Sequence, residues 1–124
     1  MIFITGGTAQ GKEKYAKEKF GAENITDGAD CDISSLNSVQ CVKNYHELVK
    51  RLMSAGTDPV VFTKNFCAEN KEAIVIMNEI GCGIVPLSRE EREWRENTGV
   101  CGCIIAENSD IAVRMVCGIP TVIK

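Results

Sequence analysis

The stretch Ile4-Thr5-Gly6-Gly7-Thr8-Ala9-Gln10-Gly11-Lys12-Glu13 decides how this chain folds. It follows the short apolar run Met1-Ile2-Phe3-Ile4 and precedes a charged segment, so its glycines lie where a buried strand turns into a helix. The spacing G-x-x-x-x-G-K is that of a phosphate-binding loop, in which backbone N–H groups converge on a phosphate and the lysine neutralises it. The helix that follows adds its positive dipole end. We therefore predict a phosphate site formed by Gly6, Gly7, Thr8, Ala9, Gln10, Gly11, Lys12 and Glu13.

Glu13 departs from the pattern of that loop. The motif continues after its lysine with Ser or Thr, whose hydroxyl group binds the magnesium ion of a nucleotide. A carboxylate can also bind Mg²⁺, but it repels a triphosphate. Two interpretations stay open at this point: a nucleotide site, or a glycine-rich turn between a strand and a helix as in any α/β protein.

Length and charge exclude several classes of protein. A chain of 124 residues predicts one domain, over residues 1–124. The formal net charge of −3 argues against a nucleic-acid partner, because affinity for DNA or RNA depends on an excess of Lys and Arg. The apolar runs fall short of the ~20 residues that cross a bilayer, and the N-terminus lacks the features of a signal peptide. We expect a cytoplasmic protein that does not bind a membrane.

The seven cysteines are odd in number and irregularly spaced, which suits reduced thiols better than a disulfide framework. Only Cys101-Gly102-Cys103 is closely spaced, and His46 is the one histidine. A zinc site would have to recruit distant cysteines, so we predict no metal site in the protein itself. A cysteine-based metal or redox protein is kept as a third hypothesis, on Cys101, Cys103 and Cys82.

Hydrophobic periodicity predicts strands alternating with helices. The predicted helices cover residues 12–20 and 42–53 and start again at Ser88, and the predicted strands cover residues 60–63, 73–77, 111–116 and 121–123. This order indicates a mostly parallel sheet with an antiparallel hairpin at its C-terminal edge. We expect an α/β, P-loop NTPase-like three-layer fold. Residues 78–86 should form an irregular loop at the carboxyl end of the central strand, where ligands bind in open α/β sheets.

Two ends of the chain together resemble one family. The N-terminal part is Met1-Ile2-Phe3-Ile4-Thr5-Gly6-Gly7 with Gly11-Lys12 and Tyr15-Ala16, and the C-terminal part is Asn78-Glu79-Ile80-Gly81, Gly83-Ile84-Val85-Pro86, Arg92, Trp94-Arg95, Gly99, Ala106, Ser109-Asp110, Gly118-Ile119-Pro120 and Lys124. These motifs resemble the bifunctional adenosylcobinamide kinase / adenosylcobinamide-phosphate guanylyltransferase family of cobalamin biosynthesis. The resemblance covers residues 1–20 and 73–124.

The resemblance implies a P-loop α/β fold in which GTP or ATP, with Mg²⁺, supplies phosphate to a hydroxyl group of cobinamide, a corrinoid. In a second reaction GTP guanylylates a histidine, which passes GMP to the cobinamide phosphate. Related enzymes are oligomeric, so we also expect a homo-oligomer. Protein groups in such transfers position the phosphates and spread their charge.

The chain also departs from the family. Family members are longer, with the additional material between residues 20 and 73, and the arginine-rich segment around their guanylylated histidine is not recognisable here. His46 lies at a comparable distance from the N-terminus, and it is either the GMP acceptor or an ordinary histidine at the solvent edge of a helix. The family aspartate at the end of the strand that we equate with residues 60–62 is replaced by Thr63.

Two functions follow from these observations. The first is a shortened working transferase, in which residues 6–12 hold the phosphates, Glu13 or Glu79 serves the metal, and residues 81–86 meet the corrinoid or the base. The second is a degenerate family member without catalysis, acting as a binding or regulatory module. The catalytic candidates are His46 and Glu79, and the alternative for Glu79 is that it fixes its loop through hydrogen bonds to backbone N–H groups.

Overall fold

Six strands form one sheet in the computed structural model, which describes residues 1–80 and 88–124. The elements in chain order are β1 (Ile2–Gly6), α1 (Lys12–Phe20), β2 (Ile25–Asp27), a 3-10 turn (Ile33–Ser35), β3 (Cys41–Lys43), α2 (Tyr45–Ser54), α3 (Pro59–Glu69), β4 (Ile74–Asn78), α4 (Arg89–Asn108), β5 (Ile111–Val116) and β6 (Ile119–Val122). The sheet order is β2-β3-β4-β1-β5-β6. The first five strands in this order are parallel, and β6 runs antiparallel to β5. This confirms the predicted α/β fold with its antiparallel edge.

The sheet lies between two helical layers because side chains alternate along its strands. Phe3 of β1 packs into one apolar cluster with side chains of α2, α3 and α4. Ile4, the next residue, packs into a second cluster with Ala16 of α1. The strand that leads into the predicted phosphate loop is therefore buried on both faces, in the centre of a three-layer structure.

Helix α1 and strand β4 follow the sequence prediction closely. Helix α1 covers Lys12–Phe20 and ends at Gly21, which adopts the left-handed conformation with a φ of 69°. In the parallel register of β1 and β4, Gly6 lies beside Asn78. The two strands therefore end at the same edge of the sheet. Asn78 closes β4, and residues 81–86 of the loop expected after it lie outside the described residues.

The strand predicted over residues 60–63 is wrong, because this segment begins helix α3. Asp58 caps the helix, its carboxylate accepting hydrogen bonds from the N–H groups of Val60 and Val61, and Pro59 fits the first helical position. Thr63 is fully buried inside α3, where its hydroxyl group lies 2.9 Å from the hydroxyl oxygen of Tyr45. The proposed equivalence of Thr63 with an aspartate at a strand end therefore fails.

The start of the second helix also differs from the prediction. Cys41–Lys43 forms strand β3, which pairs with β2 and β4, and α2 begins only at Tyr45. Asn44 separates the two elements in the left-handed conformation, with a φ of 55°. Asparagine tolerates this conformation better than most residues. Because β3 runs parallel to β4, and β4 to β1, the end of β3 lies at the edge of the sheet that carries the loop after β1.

Strand β6 begins at Ile119, two residues earlier than predicted. Pro120 is tolerated there because β6 is an edge strand. Ile119 and Val122 are exposed on this edge. Over the described ranges 1–80 and 88–124, the search for a helix both long and apolar enough to cross a bilayer found none.

The buried pair of Tyr45 and Thr63 offers a test of the α2–α3 packing. Burial raises the pKa of Tyr45, which keeps its hydroxyl group protonated. Thr63→Val removes the hydrogen-bond partner of this hydroxyl group, and we expect a loss of about 1–3 kcal/mol in the free energy of unfolding. Adding Tyr45→Phe should recover part of that loss, because no hydroxyl group is then left unpaired. Urea unfolding of the single and double variants measures both values, and equal stability of all variants would contradict the packing described.

Candidate functional site

The loop between β1 and α1 depends on two glycines with backbone angles that other residues rarely adopt. Gly6 has a φ of 150°, and a Cβ atom there would lie 2.5 Å from the carbonyl oxygen of Met115. Gly11 precedes the first turn of α1 with a φ of 87°. Ala9 between them is also left-handed, with a φ of 56°, a strained conformation for a residue with a side chain. The glycine spacing that predicted the loop is therefore a requirement of its backbone.

Two hydrogen bonds to Gln10, which the sequence did not predict, hold the tip of the loop. The side-chain carbonyl oxygen of Gln10 accepts a hydrogen bond from the N–H group of Cys117, and its backbone oxygen accepts one from Gly118 at 3.1 Å. Cys117 and Gly118 form the turn between β5 and β6, and both have positive φ. This turn thus fixes the tip of the loop, and sequence reasoning had no signal for a pair so distant along the chain.

Asn78 and Glu79 hold the base of the loop, because β1 and β4 end side by side at the same edge of the sheet. The N–H group of Glu79 donates to the carbonyl oxygen of Gly6 at 2.9 Å. The side-chain amide of Asn78 donates to the hydroxyl oxygen of Thr8 at 3.3 Å. The structure therefore brings the predicted residues after β4 into direct contact with the predicted phosphate loop.

The ammonium group of Lys12 is buried against the loop that precedes it. Its Nζ atom donates to the carbonyl oxygen of Gly7 at 2.5 Å, and only 7% of the residue is exposed. Burial lowers the pKa of Lys12, and the nearby carboxylate of Glu79 opposes this effect. Among the described residues, none caps the N-terminus of α1 with a side-chain hydrogen bond. The first turn therefore presents N–H groups and a buried cation at the same place.

Glu13 is paired with two lysine side chains. Its carboxylate lies 3.4 Å from the ammonium group of Lys43 and 3.5 Å from that of Lys17. Lys43 is the last residue of β3, two strands from β1, so its side chain reaches past the end of β4 to the first turn of α1. The carboxylate does not plug the loop, because it is engaged by lysines on the β3 side and on the next turn of the helix.

A cavity of about 270 Å³ opens beside these groups. It is lined by residues 8–14, by Lys43 and Asn44 at the end of β3, and by Ile76 and Asn78 of β4. Lys12, Lys14 and Lys43 outnumber the one acidic residue, Glu13, so the lining favours an anion. Lys43 and Asn44 are members of this site that the sequence analysis missed, since only the fold brings β3 next to the loop.

The carboxylate of Glu79 is held by Arg114 of β5. Nε and Nη2 of the guanidinium group donate to its two oxygens at 2.9 and 3.1 Å. Among the described residues, the carboxylate therefore meets an arginine side chain, while the backbone N–H group of Glu79 donates to Gly6. The alternative that Glu79 fixes its loop through backbone N–H groups concerns residues 81–86, which lie outside the described residues.

His46 is not at a solvent edge, as one of the two sequence interpretations had it. Only 5% of the residue is exposed, and its Nδ1 atom accepts a hydrogen bond from the N–H group of Asn78 at 3.1 Å. Its carbonyl oxygen accepts a hydrogen bond from the indole N–H of Trp94 on α4 at 2.7 Å. Sequence reasoning missed this burial because the covering residues lie on β4 and α4, far along the chain.

The hydrogen bond at Nδ1 sets the tautomer of His46. An acceptor nitrogen carries no proton, so the neutral ring has its proton on Nε2, which lies 3.8 Å from the carboxylate of Glu47. Neither nitrogen then offers a free lone pair for attack on a phosphate. Burial lowers the pKa of His46, Glu47 and Asp27 raise it, and Lys12 lowers it further. The lowered value favours the neutral form that this hydrogen bond requires.

A second cavity, of about 350 Å³, lies on the opposite face of the sheet. It is lined by β1, by the end of β4 and by α4, and Asn78 lines both cavities. Its surface is mainly apolar, with Phe3 and Met77 at one side. The hydroxyl oxygen of Thr98 is buried in this wall and has no hydrogen-bond partner among the residues that the structure describes.

The cysteines give the third hypothesis no support. Cys101 is buried and Cys103 is exposed on α4, because residues two apart on a helix do not face each other. Burial raises the pKa of Cys101, which keeps it a thiol. Cys82 lies outside the described residues. Within residues 1–80 and 88–124, no group of three or more His, Cys, Asp or Glu side chains could hold a metal ion.

Comparison with known proteins places most of the chain in one family. Residues 39–123, more than half of the chain, match the family model described as cobinamide kinase / cobinamide phosphate guanyltransferase. The match covers β3 to β6 and includes residues 39–72, for which sequence alone showed no resemblance. It begins after residues 6–13, the predicted phosphate loop. None of the curated proteins in the comparison matches the chain.

The hydrogen bond between His46 and Asn78 predicts a pH-dependent stability. Because the pKa of His46 is lower in the folded chain, the unfolded chain binds the proton more readily, and stability falls as the pH drops below the unfolded value of about 6.5. His46→Asn can still accept the hydrogen bond but cannot be protonated, so its stability should depend less on pH between about 7 and 5. His46→Phe removes the acceptor and should cost about 1–3 kcal/mol at neutral pH. Chemical unfolding across this pH range measures all three proteins, and identical slopes for the unsubstituted protein and His46→Asn would contradict this account.

Proposed function

The chain belongs to the cobinamide kinase / cobinamide phosphate guanyltransferase family, and on that premise we propose that residues 6–12 bind the phosphates of ATP or GTP for transfer to a cobinamide. The observation that carries the proposal is the cavity beside the loop, where uncapped N–H groups of α1 and the ammonium group of Lys12 converge. Helix N-termini with such groups bind anions. The family match supports the class of reaction.

The loop offers a phosphate both backbone and side-chain donors. Lys12 now donates to Gly7, an internal carbonyl oxygen, and a phosphate oxygen would be a stronger, charged acceptor for the same ammonium group. Gln10 and Asn78 hold the loop from two sides, so little ordering of the backbone is needed when a ligand binds. The proposed site is therefore largely formed before the nucleotide arrives.

The cobinamide, which accepts the phosphate in the proposed reaction, would bind near the second cavity. Asn78, the last residue of β4, lines both cavities, and Glu79 after it lines the apolar one, so a group held in the apolar cavity lies next to the residues that fix the loop. The hydroxyl group of Thr98, which has no hydrogen-bond partner within residues 1–80 and 88–124, and the guanidinium group of Arg95 are polar groups in that cavity. We propose that a polar part of the corrinoid meets them there.

The two candidate catalytic residues differ in how far the geometry supports them. Glu79 lines the second cavity, but its carboxylate is paired with Arg114, which favours a role in positioning over one as a general base. His46 remains the only histidine that could accept GMP, yet its Nδ1 lone pair is used by Asn78. Kinase chemistry is therefore better supported than guanylyl transfer.

The alternative function is a binding or regulatory module without catalysis. Two observations favour it: Glu13 is held by lysines in place of the usual hydroxyl residue, and His46 is buried. Incubation with cobinamide and either nucleotide separates the two functions. Cobinamide phosphate or a GMP adduct on His46, detected by mass spectrometry, supports a transferase, and nucleotide binding without either product supports the module.

Lys12→Met tests the nucleotide site itself. Loss of a hydrogen bond from a charged group is worth about 1.5–3 kcal/mol, so we expect the Kd for ATP or GTP to rise by about tenfold to a hundredfold. Lys19→Met is the matched control, because Lys19 is exposed on the last turn of the same helix, away from the cavity. Isothermal titration calorimetry gives the Kd values, with circular dichroism to confirm that both variants fold. Failure of the unsubstituted protein to bind either nucleotide, with or without Mg²⁺, would overturn the proposed function.

A further inference from the structure

Mg²⁺ is the cation that the family resemblance implies for nucleotide phosphates, and the residues at the loop can be tested against it. In the motif, the hydroxyl group after the lysine is a metal ligand. Here that position holds Glu13, whose carboxylate is already paired with Lys43 and Lys17, so that a cation would compete with two ammonium groups for it. The carboxylate at the position of the usual metal ligand is thus already ion-paired with two lysines.

The other carboxylates at this edge of the sheet are also engaged. Glu79 accepts hydrogen bonds from two nitrogen atoms of Arg114, Nε and Nη2. Asp27, at the end of β2, accepts hydrogen bonds from the side-chain amide of Asn44 and from the N–H group of Ala29, both at 2.9 Å. Within the described part of the chain, the acidic groups nearest the loop thus have partners that a metal ion would have to displace.

Lys43 lies where its ammonium group could supply a second positive charge to the phosphates. Its ammonium group is bound to Glu13 on the first turn of α1, and its side chain lines the same cavity as Lys12. The side chain is 30% exposed, so the charge is only partly screened by water. An ammonium group has three donors and can contact Glu13 and phosphate oxygens at the same time.

We propose that Lys43, held by Glu13, takes the place of the divalent cation at this loop, so that ATP or GTP binds through Lys12 and Lys43 without Mg²⁺. The inference rests on the proposed function. It specifies that the ligand is a nucleoside triphosphate without bound Mg²⁺. Glu13 serves as the fixed counter-ion of Lys43 in the empty site. When phosphate binds, Lys43 offsets the repulsion between the carboxylate of Glu13 and the phosphates.

The experiment measures the Kd for ATP and for GTP by calorimetry, in excess MgCl₂ and in excess EDTA. For the unsubstituted protein we expect the two conditions to differ by less than about threefold. Lys43→Met should weaken binding about tenfold or more in EDTA, and Lys43→Arg should keep most of the affinity. Glu13→Ser restores the usual hydroxyl group and should make binding about tenfold tighter in Mg²⁺ than in EDTA.

Lys17→Met is the matched control, because Lys17 also pairs with Glu13 but projects from the exposed side of α1. It should leave the Kd almost unchanged, as expected for a surface ion pair. Binding of the unsubstituted protein that is tenfold or more tighter in Mg²⁺, or equal effects of Lys43→Met and Lys17→Met, would overturn the inference alone. Absence of binding in both conditions would overturn the proposed function together with the inference. If Lys43→Met does not fold, the inference is still tested by comparing the Kd in MgCl₂ with the Kd in EDTA for the unsubstituted protein and for Glu13→Ser.

Discussion

The close approach of Gly6 to its two neighbouring strands is the constraint on which the site depends. The backbone of this residue passes so near the carbonyl oxygen of Met115 on β5 that a side chain has no room. On the other side its own carbonyl oxygen receives the N–H group that follows β4. Because β1 leaves the sheet between two parallel strands in register, the loop after it is fixed at its base. The tip is then fixed by the β5–β6 turn through Gln10.

The charges at this edge of the sheet are arranged around that loop. Lys12 lies inside it, Glu13 and Lys43 form an ion pair beside it, and Arg114 holds Glu79 on the far side. Glu13 and Glu79 are each paired with a basic side chain, while the cavity keeps an excess of lysines. A protein with a net charge of −3 thus presents a locally positive site, which is what a phosphate ligand requires.

The sequence predicted the parts of the fold that local patterns determine. Strand β4 is a continuous apolar run, and α1 lies between a glycine loop and Gly21, so both were found with nearly correct bounds. Helix α3 was missed because the three apolar residues 60–62 fit a buried strand as well as a buried helix, although Asp58 and Pro59 were helix-start signals.

The remaining parts of the site arise from contacts that no local pattern encodes. Lys43 reaches the loop only because β3 pairs with β4, and His46 is buried by residues from β4 and α4. Strand β3 itself, with three residues, is too short for a periodic signal. Motif spacing could therefore find the loop, whereas its counter-charges and supports needed the fold.

The most direct test of the central claim, that main-chain N–H groups of the loop receive a phosphate, is an amide NMR titration. ¹H–¹⁵N spectra of the labelled protein would be followed during addition of ATP or GTP. The account predicts that the largest shift changes fall on residues 7–13, with smaller changes at Lys43 and Asn78, which line the same cavity. Unchanged loop signals at saturating nucleotide, or changes confined to another surface, would contradict it.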